Sequence, residues 1–189
     1  YFHDEMPRLK RFLFVVLERL GGRYTDLLFS QSAEDADDAV KEGICRAETV
    51  LGIGNGVDVA RFDPVKVGAG DTAREALGIP PDAFVIGMIG RMVREKGVAD
   101  YLAAARRLAA RHPRAWFLLV GERLASDHAA GVEEEFAAAR RELGPRLVAP
   151  GLRSDIPELL AAMDLFCLPS WREGMPRTII EAMMMAKPV

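Results

Sequence analysis

Between residues 84 and 187 the chain alternates short apolar runs with helical periods, and few folds accept that pattern. Residues 84–90 read Phe-Val-Ile-Gly-Met-Ile-Gly, a continuous apolar run of the kind that fills the middle of a parallel sheet covered on both faces. Residues 98–111 carry a helical pattern, 115–120 a second apolar run, and 132–143 another helix. A short strand at 146–148, a helix near 156–162 and the run Leu165-Phe166-Cys167-Leu168 complete the series. Repeated strand–helix alternation predicts an open, Rossmann-like parallel α/β sheet with helices on both faces. Ligands in such sheets bind at the carboxyl ends of the strands. That rule places Gly90-Arg91, Gly121-Glu122, Gly151-Leu152-Arg153 and Arg172-Glu173-Gly174 along one rim.

The residues before this region carry less pattern. Residues 9–20 predict a helix with Leu9, Phe12, Leu13, Val16, Leu17 and Leu20 on one face, ended or weakened by Gly21-Gly22. A strand around Leu27-Leu28-Phe29, an acidic helix over 33–42 capped by Ser32, and a strand over 49–53 follow. This predicts the tail of a first Rossmann-like domain over 1–63, a linker over 64–70, and the second domain over 71–189. Glycines 52, 54 and 56 precede no long helix and are read as a turn, not as the G-x-G-x-x-G of a dinucleotide site. The chain begins Tyr1-Phe2-His3, and Lys187-Pro188-Val189 reads as the start of a further strand, so a piece truncated at both ends is expected.

Bulk properties narrow the function. With 189 residues, half of them hydrophobic, the chain has ample core. A net charge of −3 argues against a nucleic-acid partner, since a phosphate-backbone binder needs a basic surplus. The two cysteines, Cys45 and Cys167, form no C-x-x-C pair and are read as reduced, buried thiols. His3, His112 and His128 are scattered, so no metal site is expected.

Two stretches of the rim carry chemistry. Residues 170–188 read as loop and helix, with Pro176 near the first helical position and the helix beginning at about Arg177. The free N–H groups of such a helix start favour an anion. Glu173 lies in the loop and Glu181 on the helix, where a carboxylate can accept hydrogen bonds from a ribose diol. Ile179, Ile180, Met183 and Met184 are expected to face the core. After the first strand of the sheet, Gly90-Arg91-x4-Lys96-Gly97 offers a guanidinium fork and a mobile ammonium for phosphate oxygens. In isolation each stretch reads more readily as a solvated surface, and their convergence on one rim reverses the balance.

Together with Gly151-Leu152-Arg153-Ser154-Asp155-Ile156-Pro157 and the Glu173-x7-Glu181 motif enclosing Gly174-Met175-Pro176, these residues resemble the nucleotide-sugar domain of the retaining GT-B glycosyltransferases of family four. The stretch from Ile53 to Phe62 is similar to the segment leaving the first domain in that family. The resemblance implies a GT-B type α/β fold and metal-independent transfer of a sugar, with retention, from a UDP- or GDP-sugar to a glycan or lipid-linked acceptor. It implies no cofactor, the donor being substrate. Arg91 and Lys96 would hold the diphosphate and Glu173 the transferred sugar, these three being the catalytic set. Glu181 would bind the ribose. Gly90, Gly174, Met175, Pro176, Arg177 and Arg153 would complete the donor site, with residues 151–155 by the base. A cytoplasmic location follows, at the inner face of a membrane if Arg8, Lys10 and Arg11 make peripheral contact. These residues alone are expected to bind donor but transfer little. The alternatives are a non-catalytic sugar-nucleotide-binding module and a sugar-nucleotide epimerase on a related fold; a nicotinamide dehydrogenase lacks its fingerprint.

Overall fold

The computed structural model describes residues 7–127 and 130–189. His3 and His128 therefore lie outside the described residues. The chain divides into two compact units, Tyr1–Gly56 and Val57–Val189. This differs from the expected boundary at residue 63. Phe62 is buried in the core of the second unit, and Asp63 caps a short helix by accepting a 3.0 Å hydrogen bond from the Val65 amide. The stretch read as a linker is thus partly helical and belongs to the second unit, as an Asp-Pro helix start allows.

In the first unit, α1 (Arg8–Gly22), β1 (Leu28–Ser30), α2 (Ala33–Lys41) and β2 (Val50–Gly52) follow one another. The two strands pair in parallel, Phe29 opposite Leu51. Ser32 caps α2 as expected, accepting from the Asp35 amide. Helix α1 ends at Gly22, as the glycine pair predicts. It is buried through Val15, while Leu9, Phe12, Leu13, Leu17 and Leu20 are exposed, so the expected apolar face is not the covered one. Arg11 pairs with Glu42, whereas Arg8 and Lys10 are exposed. Among the described residues no helix is long and apolar enough to cross a membrane.

The second unit starts with α3 (Pro64–Val67) and α4 (Asp71–Ala76). Its sheet contains β3 (Phe84–Ile89), β4 (Ala115–Val120), β5 (Leu147–Gly151) and β6 (Leu165–Phe166). The order is β5-β4-β3-β6 and every pairing is parallel. The connecting helices are α5 (Val98–Ala109), α6 (Glu133–Leu143) and α7 (Ile156–Ala161), and α8 (Arg177–Met184) follows β6. The period of two in each strand splits the apolar runs between two cores. Val85, Ile89, Leu118 and Val120 join residues of α7 and α8 on one face. Met88, Phe117 and Leu119 join residues of α5 and α6 on the other. In that second core the buried Tyr101 hydroxyl donates to the Ile86 carbonyl at 2.7 Å, which satisfies a polar group that burial would otherwise penalise. Burial also pushes that hydroxyl well above its ordinary pKa.

Helix α8 sits differently from expectation. Ala182 and Met185 are buried in the core and Ile179 and Met184 pack against it, but Met183 is 64% exposed. At 100° per residue the buried stripe is centred on Ala182, one position from the assumed centre. Beyond α8, the Phe166 amide donates to the Pro188 carbonyl at 2.9 Å, so residue 188 lies beside β6.

Arg74 of α4 stitches the amino ends of the strands together. Its guanidinium donates to the Ala162 carbonyl at 2.9 Å, the Ala83 carbonyl at 3.1 Å and the Asp164 carboxylate at 2.9 Å. That carboxylate oxygen also accepts from the Val85 amide at 2.7 Å. With the Arg74 side chain only 12% exposed, Arg74→Ala removes its hydrogen bonds to Ala162, Ala83 and Asp164 together, leaving Asp164 only the Val85 amide. We expect a loss of about 2 kcal/mol, the range for hydrogen bonds to charged groups, read as a lower urea midpoint with an unchanged m-value.

Candidate functional site

The site is built on the turn between β3 and α5. Its first half is tied to the loop after β4. The Met92 amide donates to the Glu122 carbonyl at 3.2 Å and the Arg94 amide to the Ala130 carbonyl at 3.0 Å, and Val93 bridges Gly131. The two loops leave the sheet in close contact. The φ of Gly121 is +127°, and a Cβ there would stand 2.0 Å from the Gly90 carbonyl oxygen, so only glycine fits.

The second half of the turn is tied to the loop after β6. Residues Arg94–Lys96 form one 3₁₀ turn. Gly97 then takes φ +71°, and a Cβ on it would come within 1.9 Å of the Pro169 carbonyl oxygen. The Glu95 carbonyl accepts from both the Trp171 amide and the Ser170 hydroxyl, each at 3.0 Å. The Trp171 indole N–H donates to Asp100 of α5 at 2.9 Å. Through these contacts the Lys96 ammonium reaches Glu173 and donates to Oε1 at 2.6 Å, both side chains being mostly covered.

Lys96, Glu173 and the loop carrying Gly174 are therefore brought together. Arg91 is not part of that pairing. Its guanidinium pairs with Asp127 of the loop after β4. Arg91 sits at the strand-side end of the turn, which is zipped to the β4 loop, whereas Lys96 sits at the end held by the β6 loop. Gly90 and Arg91 line a cavity of about 220 Å³ at the carboxyl ends of β3 and β4, together with Glu122, Leu152 and Arg153. Arg153 is clasped by Asp155 at 2.8 and 2.5 Å, and that hydrogen bonding holds the Asp155 carboxyl below its ordinary pKa.

Helix α8 starts at Arg177, with Pro176 as the residue before its first turn and no side chain capping it. The expected position of Pro176 is thus displaced by one residue. Proline has no N–H, so the orphan donors of this end come from the first turn that follows. Gly174 and Met175 are exposed at its mouth. Arg177 is largely exposed and lies 3.7 Å from Glu181. Glu181 itself is only 8% exposed. Burial pushes its carboxyl above the ordinary value, against the smaller opposing pulls of Arg177 and Arg61.

Residues 83–189 match the pattern described as Glycosyl transferases group 1. The chain belongs to that family. The group 1 chain is 31% identical over 184 residues to the UDP-Gal:alpha-D-GlcNAc-diphosphoundecaprenol alpha-1,3-galactosyltransferase of Escherichia coli, covering 96% of this chain and 46% of that one. It is 32% identical over 136 residues to the N,N'-diacetylbacillosaminyl-diphospho-undecaprenol alpha-1,3-N-acetylgalactosaminyltransferase of Campylobacter jejuni, covering 71% and 33%. Its backbone matches the crystal structure of HepE of Anabaena in complex with UDP-glucose with a TM-score of 0.76 at 31% identity, over 92% of this chain and 46% of that one. The fold is of the GT-B type, and the chain spans less than half the length of these relatives.

Sequence reasoning passed over two residues of the site in this group 1 chain. Asp127 holds Arg91 from a distant loop and carries no local motif. Arg61 lies close enough to influence Glu181 and donates to the Ser154 carbonyl; its place in the stretch from Ile53 to Phe62 was the available signal. Both cysteines are free and only partly buried, and burial raises the Cys167 thiol. His112 is exposed. Among the described residues no group of three or more His, Cys, Asp or Glu side chains is placed to hold a metal.

The Glu181 shift has a consequence for stability. The folded chain holds this proton more tightly than the unfolded chain. The group's contribution to stability is therefore fully present below the unfolded carboxylate range and is lost as pH rises through the folded value. Glu181→Gln removes that loss. We expect the thermal midpoint of the variant minus that of the parent to become more positive from pH 4 to pH 7, as scanning calorimetry at a series of pH values would read.

Proposed function

We propose that the protein carrying this chain transfers a hexosyl unit from a nucleoside diphosphate sugar, with uridine the favoured base, to a glycan or lipid-linked acceptor. The observation that carries this reading is the 2.6 Å contact between Lys96 and Glu173 on the loop leading into α8. Lys96 suits a diphosphate, and Glu173 suits the hydroxyls of the attached sugar. Their contact brings those two subsites together where the scissile bond would lie. The names of the relatives agree with a UDP-sugar donor and, for the bacterial transferases, a lipid-linked acceptor.

In this reading the bond between the anomeric carbon and the diphosphate oxygen breaks, and its electron pair leaves with the diphosphate. The acceptor hydroxyl oxygen bonds to the anomeric carbon and gives its proton to the departing phosphate oxygen, which lies on the same face when configuration is retained. Negative charge grows on the phosphate as the bond opens. Lys96, Arg91 and the orphan N–H groups at the start of α8 are fixed charges and dipoles that stabilise it, and no cofactor or metal enters the step. Glu181 accepts the ribose hydroxyls, and Arg153 stands near the base. Arg8 and Lys10 on α1 are exposed beside exposed apolar side chains, which suits peripheral contact with the inner face of a membrane that carries the acceptor.

A thermal-shift screen of nucleotide sugars on the intact protein tests the donor. A UDP-sugar should raise the midpoint, and Glu181→Ala should diminish that rise. Lys96→Ala should lower turnover by roughly a hundredfold, as loss of one preorganised donor to a developing anion does. Chelation should leave turnover unchanged, and the product should keep the donor's anomeric configuration. Donor binding without transfer would instead support a non-catalytic module, and acceptor-free conversion of the donor an epimerase. If no nucleotide sugar shifts the midpoint, the reading is wrong.

A further inference from the structure

The Arg91 guanidinium is held by a carboxylate that the donor-site reading does not use. Asp127 comes from the loop after β4, 36 positions along the chain from Arg91. Its side chain is only 2% exposed, although that of Arg91 is 48% exposed. The carboxylate is covered by its own turn rather than sunk in the core. The Leu124 amide donates to Oδ2 at 2.9 Å and the Asp127 amide returns to the Leu124 carbonyl at 3.0 Å. That local hydrogen bond, helped by the smaller pull of Arg91 and against the opposing effect of burial, keeps the Asp127 carboxyl below its ordinary pKa. One oxygen of Asp127 is thus committed to its own loop and the other to Arg91.

The consequence for Arg91 is geometric. A guanidinium has several N–H donors in one plane. Among the described residues a single terminal nitrogen is engaged by Asp127, while Arg91 lines the cavity at the strand ends. Fixing one corner of the plane sets the direction of the rest. Without that anchor, a long and half-exposed arginine side chain samples many rotamers, and ordering it on binding would cost entropy.

We propose that Asp127 is a positioning residue: it orients Arg91 toward the carboxyl-edge cavity so that the remaining guanidinium N–H groups meet the donor diphosphate without rearrangement. This rests on the reading of Arg91 as a diphosphate ligand. In metal sites, groups that hold a ligand from behind matter by about ten- to a hundredfold in affinity, and preorganised sites in general rely on such support.

The test is titration calorimetry of UDP into the intact protein and into Asp127→Ala, Asp127→Asn, Arg91→Ala and the Asp127→Ala/Arg91→Ala double variant. Asp127→Ala should weaken UDP about tenfold. Asp127→Asn keeps the shape but has one acceptor oxygen for the Leu124 amide and Arg91 to compete for, so it should recover part of that loss. In the Arg91→Ala background, Asp127→Ala should cost nothing further, because a residue acting through Arg91 has nothing left to act on. A purely structural aspartate would weaken binding equally in both backgrounds, and that result overturns the proposal. So does full UDP affinity in both Asp127 variants while Arg91→Ala is impaired. If the parent binds no UDP, or Arg91→Ala binds as the parent does, the donor-site reading of Arg91 fails and this role falls with it. Comparing the thermal midpoints of Asp127→Ala and Asp127→Asn separates loss of folding from loss of aim.

Discussion

The turn between β3 and α5 is gripped from both sides, and the rest of the site depends on that grip. Its first residues are laced to the loop after β4, and its last to the loop after β6. Neither grip comes from a regular ladder. Each is made by backbone amides and carbonyls that find partners outside secondary structure, as buried peptide groups must. A Cβ on Gly121 would strike the Gly90 carbonyl and one on Gly97 the Pro169 carbonyl, so at both places the segments meet backbone to backbone. One short turn thereby sets the spacing of three strand ends, and with it the places where Arg91, Lys96 and Glu173 can act.

The same arrangement accounts for the charge pattern. Lys96 and Arg91 both carry positive charge at the carboxyl edge of a parallel sheet, where helix amino ends add to the field. Each is matched by a carboxylate from a different loop. The two pairs are not equivalent. Glu173 lies on the loop that leads into α8 and contributes to the donor site in the proposed reaction. Asp127 lies on the loop after β4 and is locked by its own turn. In the proposed reaction one partner is a fellow ligand of the substrate, and the other the strut that aims Arg91.

Much of this was visible before any coordinates, and the reason is periodicity. The continuous apolar runs at 84–90 and 115–120 announced strands buried on both faces, and both formed within a residue or so of the expected limits. Lys96 and Glu173 stood out because their motifs are compact in sequence. What remained hidden depends on contacts between distant segments. The pairing of Arg91 with Asp127 requires two loops to meet edge to edge, which no local spacing records. Phe62 packs in the α7 and α8 core of the second unit, so the boundary drawn at residue 63 fell inside that unit. Met183 is exposed and Met185 buried, and a run of three methionines carries no polar residue to mark which of them faces inward.

The hydrogen bond from Trp171 to Asp100 also makes the molecule its own optical reporter. The sequence contains two tryptophans. Trp116 is partly buried within β4, whereas Trp171 is 66% exposed on the loop that presents Glu173. Their indoles therefore occupy environments of different polarity, and the longer-wavelength part of the intrinsic emission belongs chiefly to Trp171. Quenching by a small solute such as iodide or acrylamide would address that fluorophore first, giving a dye-free signal for events at the mouth of α8.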